Sequence, residues 1–234
     1  MISYSIARQS YLRGLGALYV ICALILFFQG KLLIGEFGLM PVPIDLPDAW
    51  NYPSLLFFFP GDATIVGMAL AMGAAGLALL FGFCNWLLLL VLYVSQVSLV
   101  NGGGIFYGFG WETMMCEMTF LSIFITHPYR IRVGGPKYFP VSWWNMIFFW
   151  GLLFKLMVGA GLIKIRGDAC WSELTCMDYH YQTQPNPHFL SWYFHNLPWW
   201  FHRFETGFNH FIELLIPFGL LLNQKIRRSA GAWI

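Results

Sequence analysis

Hydrophobic residues gather into six runs along the chain, and polar or proline-containing segments separate these runs. Several of the runs approach or exceed the roughly 18 apolar residues that a helix needs to cross a bilayer. The fourth run contains two acids, which weaken its hydropathy. The pattern predicts an all-α, polytopic membrane helix bundle with about six spans, at residues 14–28, 63–83, 85–100, 111–126, 142–163 and 205–222.

The composition agrees with a membrane protein. Hydrophobic residues make up 58% of the 234 residues and charged residues only 10%, whereas a soluble domain has about 25% charged residues. A soluble domain is therefore close to excluded, and we expect a single membrane domain over residues 1–234. The apolar composition makes the lipid bilayer an expected partner. Nucleic acid is not an expected partner, because the charges are few and form no basic stripe.

Basic residues are distributed unevenly between the segments that connect the predicted spans. Basic residues favour the cytoplasmic side of a membrane. With a cytoplasmic N-terminus, no acid and eight of the 13 basic residues lie inside, namely Arg8, Arg13, Arg130, Arg132, Lys137, Lys225, Arg227 and Arg228. Both termini are therefore predicted to face the cytoplasm. The loop of residues 164–200 is predicted to face the periplasm or a lumen, where thiols can be oxidised.

Two cysteines, Cys170 and Cys176, lie in this outside loop. A structural disulfide is the favoured interpretation of the pair. A redox-active pair is a weaker alternative, because the spacing is not the Cys-x-x-Cys that lowers a thiol pKa. A zinc site is also weaker, because the histidines of the loop stand at no recognisable zinc-finger spacing.

The loop and its flanks resemble the lipase maturation factor family. The residues that match in order are Phe106–Phe109, Trp111, Glu112, Glu117, Gly159–Asp168, Cys170, Trp171, Leu174–Pro185, Ser191–His195, Pro198, Asn209–Phe211, Glu213 and Pro217. The resemblance implies a polytopic membrane protein. The animal members reside in the endoplasmic reticulum and help secreted dimeric lipases to fold and assemble.

Family members usually continue beyond the equivalent of Leu222, with further spans and a lumenal domain to which client binding is assigned. The chain is therefore expected to be a short relative, truncated at its C-terminus. The six-helix arrangement is also remotely similar to the membrane domain of vitamin K-dependent carboxylases, from which no catalytic residue can be transferred.

Lys155 lies near the middle of the fifth predicted span. An ionisable group at that depth costs on the order of 3 kcal/mol or more and needs a partner. The anions within or at the ends of spans are Glu112, Glu117, Glu205 and Glu213. A buried ion pair that locks helix packing is favoured, and a lysine for catalysis or ligand binding and a shallower position are the alternatives.

The last predicted span contains a second polar group, formed by His202, Glu205, Asn209, His210 and Glu213. Four of these positions, 202, 205, 209 and 213, form one stripe of a helix. A hydrogen-bonded network that supports the outside loop is favoured over a small-molecule or proton-handling pocket. A metal site is disfavoured, because di-iron sites take Glu-x-x-His pairs from two helices. We expect no metal, no cofactor and no catalytic residue.

The predicted function is a non-enzymatic membrane assembly factor or chaperone of the lipase maturation factor type. Its outside loop would bind a client or protein partner on the periplasmic or lumenal side, through Arg166, Asp168, Trp171, Asp178, His180, Tyr181, Trp192 and His195. The alternative is an accessory subunit packed within a larger membrane complex. A third interpretation is a membrane enzyme that uses Lys155 and the buried acids. The expected location is a bacterial inner membrane, with the endoplasmic reticulum membrane as the alternative.

Overall fold

Helices joined by loops make up the residues that the structure describes. The computed structural model describes residues 5–43, 51–83, 85–126 and 141–233. Three predicted cytoplasmic basic residues, Arg130, Arg132 and Lys137, lie outside the described residues. The α-helices are α1 Ser5–Ile34, α2 Leu55–Phe58, α3 Asp62–Leu80, α4 Trp86–Gly102, α5 Gly110–Phe124, α6 Trp143–Gly167, α7 Ala169–Ser172, α8 Met177–Thr183, α9 Ser191–His195, α10 Trp199–His210 and α11 Gln224–Trp233.

Among the residues that the structure describes, three helices are long and apolar enough to cross a membrane. They are Ile6–Ile34 within α1, Asp62–Leu80 (α3) and Trp143–Gly167 (α6), with 29, 19 and 25 residues. Because these helices correspond to the first, second and fifth predicted spans, the all-α membrane class is confirmed. The count of six spans and the cytoplasmic position of both termini stay predictions.

The sixth predicted span is not one regular α-helix, and its boundaries in the membrane stay a prediction. Helix α10 begins at Trp199 rather than at residue 205, and the chain continues as a π-helical turn, Phe211–Leu215, and a 3-10 segment, Ile216–Leu221. Pro217 explains the change, because proline has no N–H to donate and its ring clashes with the carbonyl four residues earlier. Helix α6 also runs to Gly167, so the predicted outside loop of residues 164–200 contains the end of α6, the short helices α7, α8 and α9, and the start of α10.

Contacts divide the chain into two compact units, Met1–Met146 and Ile147–Ile234. The single domain expected over residues 1–234 stays a prediction. In the first unit α1 packs along α3, α3 against α4, and α4 against α5. Tyr19, Leu26, Met72 and Leu79 are completely buried there. The core of this unit is therefore a layer of apolar side chains between α1 and α3.

Backbones of α1 and α3 approach each other closely at two glycines. A Cβ atom added to Gly16 would lie 2.7 Å from the carbonyl oxygen of Gly76. A Cβ atom added to Gly76 would lie 3.0 Å from the carbonyl oxygen of Gly16. Small residues allow helices to pack this closely in membranes. Close van der Waals packing drives helix association there, because the hydrophobic effect does not act between helices in lipid.

Buried hydrogen bonds tie α1 to α5. The hydroxyl groups of Tyr19 and Thr119 lie 2.6 Å apart and are completely buried. Nearer the start of α1, the hydroxyl of Tyr11 donates to the carbonyl of Met118 at 3.0 Å and accepts from the hydroxyl of Ser122 at 3.1 Å. Polar groups in hydrocarbon must find partners within the protein, so these contacts fix α5 against α1.

In the second unit, α6 meets the π-helical turn, and α8 packs against α9 and α10. An added Cβ at Gly161 would lie 2.6 Å from Cδ2 of Leu214 and 3.1 Å from Cβ of Glu213, so a larger residue there would have to displace the Leu214 side chain. The following 3-10 segment packs against α11. The Arg227 side chain of α11 holds the two together, because it donates to the carbonyls of Leu220 and Leu222, both at 2.7 Å.

Candidate functional site

A disulfide closes the start of the outside loop. Cys170 and Cys176 are bonded and buried, with Cα atoms 4.8 Å apart, a usual separation for a disulfide. The backbone N–H groups of Thr175 and Cys176 both donate to the carbonyl of Cys170, at 2.8 and 3.2 Å. Leu174 has a φ of 60°, a left-handed conformation that costs a non-glycine residue roughly 1–2 kcal/mol. The predicted disulfide is therefore present, in a tight turn that backbone hydrogen bonds also hold.

Replacing Cys170 by serine is expected to lower the free energy of unfolding by about 2 kcal/mol, because an open loop has more conformational freedom when unfolded. The measurement is the temperature at which heating reduces the monodisperse peak of the detergent-solubilised protein, in size-exclusion chromatography, to half its height. Cys116→Ala removes a cysteine that forms no disulfide and serves as the control. Equal behaviour of the two variants, or free thiols at both positions in fresh membranes, would contradict the expectation.

Lys164 forms an ion pair at the end of α6. Its ammonium lies 2.5 Å from Oε1 of Glu213 and donates to Oδ1 of Asn209 at 2.9 Å. The amide of Asn209 in turn donates to the same Glu213 oxygen at 3.3 Å. The side chains of Lys164 and Glu213 are 27% and 12% exposed, so the pair is largely shielded from solvent. This contact fixes the start of the outside loop to the π-helical turn.

Trp171 connects α7 to the same group. The Lys164 ammonium lies 5.2 Å from the centre of the Trp171 ring, which is a cation–π distance. The Nε2 of His210 donates to the Trp171 carbonyl at 2.9 Å. The rings of His180 and His210 meet the Trp171 ring edge-on, at centroid distances of 6.5 and 6.0 Å. One indole therefore contacts residues of α6, α8 and α10.

Tyr181 and His202 share the carboxylate of Glu205. The Tyr181 hydroxyl donates to Oε1 of Glu205 at 2.7 Å, and Nδ1 of His202 lies 3.1 Å from Oε2. Nε2 of His202, a buried residue, lies 3.3 Å from the carbonyl oxygen of His195. These hydrogen bonds connect α8, α9 and α10, in addition to the packing contacts between the helices.

Burial, followed by the adjacent Glu205 carboxylate, raises the pKa of Tyr181 above its ordinary value. The hydroxyl therefore stays protonated at neutral pH and donates to the carboxylate. Tyr181 acts in this arrangement as a hydrogen-bond donor that holds α8 on α10. We call the nine residues of these two groups the loop cluster: Lys164, Trp171, Tyr181, His195, His202, Glu205, Asn209, His210 and Glu213.

The structure brings together most of the site residues that the sequence singles out. Helix α10 supplies four members of the loop cluster, the π-helical turn after it supplies Glu213, and His180 lies against the Trp171 ring. Asp168 instead caps α7, because its Oδ1 accepts from the N–H of Cys170 at 3.0 Å. Arg166 and Trp192 are exposed, and Asp178 is half-buried in the first turn of α8.

Lys164 is the member of the loop cluster that sequence reasoning missed. It stands at the outside end of a predicted span, where a lysine is unremarkable by hydropathy. Lys155, the lysine that the sequence emphasises, has an exposed side chain on α6, whereas Glu112 is buried and accepts from Nε2 of Gln96 at 2.5 Å. The pairing of Lys155 with Glu112 or Glu117 stays a prediction.

Large aromatic side chains around the loop cluster are exposed. Arg203 lies over the Trp199 ring, 4.9 Å from its centre. Exposed aromatic groups are typical of protein interfaces and of the bilayer boundary. We call them the aromatic rim: Phe189 (78% exposed), Trp192 (69%), Tyr193 (63%), Trp199 (65%) and Trp200 (58%).

No three His, Cys, Asp or Glu side chains are placed to hold one metal ion, within the residues that the structure describes. The Glu213 carboxylate instead pairs with Lys164, and His202 and His210 contact Glu205 or backbone carbonyls. The expectation that the chain binds no metal and no cofactor stays a prediction.

Bilayer-length apolar helices, together with a loop that a disulfide closes, define an integral membrane protein. Residues 6–234 match the model of the lipase maturation factor transmembrane domain. The chain therefore belongs to the lipase maturation factor family, as its resemblance indicated. This family is not a known class of enzymes.

Comparison with individual relatives supports this family membership. The chain is 40% identical to mouse lipase maturation factor 1, over 98% of the chain and 43% of the relative. It is 39% identical to human lipase maturation factor 1 (95% and 42%) and 31% identical to Xenopus tropicalis lipase maturation factor 2 (95% and 34%). The chain spans less than half the length of these relatives. No solved structure matches it.

Proposed function

We propose that the chain acts as a membrane maturation factor whose outside loop binds a lipase client. The family match over residues 6–234 supports a maturation role, and the names of the relatives indicate the class of client. The structural observation that carries the proposal is the contrast within the loop. Its inner side is held by the disulfide and the loop cluster, while the aromatic rim is exposed.

This contrast suits a binding surface for physical reasons. A surface that is already ordered loses little conformational freedom when a partner binds. Tryptophan and tyrosine supply a large share of the binding energy at many protein interfaces. A client that is not yet fully folded exposes apolar side chains, which the aromatic rim would cover.

Secretion of an active lipase tests the proposal. Trp192→Ser combined with Tyr193→Ser is expected to lower the activity of a co-expressed secreted lipase in the medium by about tenfold or more, because two anchors are lost. Phe37→Ser is the matched control, since Phe37 is 98% exposed on the same predicted side of the membrane but outside the loop. Equal lipase activity with both variants at equal membrane levels would contradict the proposal.

Membrane topology is a separate part of the proposal. We propose six spans with both termini in the cytoplasm and the outside loop in the periplasm or lumen, as the sorting of basic residues indicates. Reporters inserted after Gly103 and after Asn223 are expected to lie on opposite sides of the membrane. The same side for both reporters would overturn this topology.

The alternative, an accessory subunit, predicts a different result on purification. A lipase client would be released, so it would be recovered in less than equimolar amount, whereas a subunit would remain in a stable equimolar complex. The relatives compared are eukaryotic and do not support the predicted bacterial inner membrane. The endoplasmic reticulum membrane stays the alternative, and membrane fractionation distinguishes the two.

A further inference from the structure

A cavity of about 350 Å³ lies in the first unit, between α1, α4 and the start of α5. This volume is near the lower end of the roughly 300–1,000 Å³ that small-molecule sites occupy. Its walls are mainly apolar and include Ile25, Leu33, Leu99 and Trp111. Ile25 and Trp111 are also 41% and 52% exposed, so the cavity opens at the surface of the unit.

One wall of the cavity is polar. Gln96 is completely buried and Glu112 is 4% exposed, and both line the space. The Gln96 amide donates to Glu112 Oε2 through Nε2, at 2.5 Å, so its oxygen faces away from the carboxylate. That oxygen, Gln96 Oε1, is buried and has no hydrogen-bond partner. A buried acceptor without a donor is unfavourable, and a ligand hydroxyl would satisfy it.

We propose that this cavity binds a neutral single-chain lipid of the monoacylglycerol class, whose hydroxyl group displaces the side chains that cover Gln96 Oε1 and donates to that oxygen. At about 30 Å³ per small group, the volume holds roughly a dozen non-hydrogen atoms, which is a head group and part of one acyl chain. An ionised fatty acid fits less well, because its head group has no proton to donate and places a second acid beside Glu112. The walls belong to apolar helices, so the ligand enters from the bilayer.

Binding of a fluorescent monoacylglycerol to the full chain in detergent micelles tests the proposal. Gln96→Leu removes the acceptor, and Ile25→Trp fills part of the space; each is expected to weaken binding by about tenfold or more. Leu24→Trp is the matched control, because Leu24 is the preceding residue, 52% exposed and not part of the cavity wall. Equal affinity in all three variants, or tighter binding of the matching fatty acid, would overturn the proposal.

Photolabelling of the unaltered protein gives a second test that needs no substitution. A monoacylglycerol with a diazirine in its acyl chain is expected to label peptides from Cys22–Leu33 and Gln96–Glu112. An excess of unlabelled monoacylglycerol should reduce this labelling. Labelling confined to other segments, or labelling that competitor does not reduce, would contradict a site at this cavity.

Discussion

Gly76→Leu is expected to destroy the packing of α1 on α3. An added Cβ at this position lies 3.0 Å from two backbone atoms of α1, the carbonyl oxygen of Gly16 and the nitrogen of Val20. Backbone atoms cannot rotate away as side chains do, so the helices must separate along the buried layer they share. Overpacking usually costs about 1–3 kcal/mol. We expect a loss at or above the upper end of that range, since a whole leucine side chain enters the contact.

The measurement is the fraction of protein that elutes as a monodisperse species after extraction in detergent. Gly67→Leu is the matched control, because Gly67 lies on the same helix with nothing within 4 Å of an added Cβ. That variant should behave like the unaltered protein, since leucine also favours helix formation more than glycine does. Similar losses for Gly67→Leu and Gly76→Leu would show that α1 and α3 do not meet at these glycines.

Lys164→Met is expected to destabilise the outside loop by about 2–3 kcal/mol, because it leaves the shielded Glu213 carboxylate without its cation. This value lies below the roughly 3–5 kcal/mol that breaking a fully buried pair costs, since the Lys164 side chain is 27% exposed. The same change removes the cation over the Trp171 ring. Faster amide hydrogen exchange in α7 and a lower unfolding temperature are the two expected results.

Two further variants separate loss of the pair from loss of a charge. Arg166→Met removes a nearby exposed cation and should have little effect. Lys164→Met combined with Glu213→Gln should cost less than the sum of the single changes, because no uncompensated carboxylate remains. Additive losses in this double-mutant cycle would mean that the ion pair contributes nothing to the stability of the loop.

Helical segments could be predicted from the sequence because their physical cause is local. A bilayer offers no hydrogen-bond partner to the backbone, so a long apolar run such as that in α3 must form a helix or a closed barrel. The position of Cys170 and Cys176 in the predicted outside loop, where thiols can be oxidised, likewise indicated the disulfide. The end of the last span could not be predicted from hydropathy, because the π and 3-10 segments depend on Pro217 and on packing against α11.

Contacts between side chains of different helices were harder to predict than the helices themselves. The stripe of polar residues in the last predicted span identified Glu213, but hydropathy directed attention to Lys155 rather than to Lys164. Which lysine reaches Glu213 depends on the close approach of α6 at Gly161, and no sequence period reports that approach. The cavity beside Gln96 also escaped prediction, because three helices form it together.

A photo-crosslinking amino acid at the position of Tyr193 tests the proposed client surface most directly. The full chain is expressed in membranes together with a secreted lipase and is then irradiated. We expect a covalent adduct with the lipase from position 193, and none from the same amino acid at the position of Phe37. No lipase adduct at position 193, or equal adducts at both positions, would contradict the proposal that the aromatic rim binds the client.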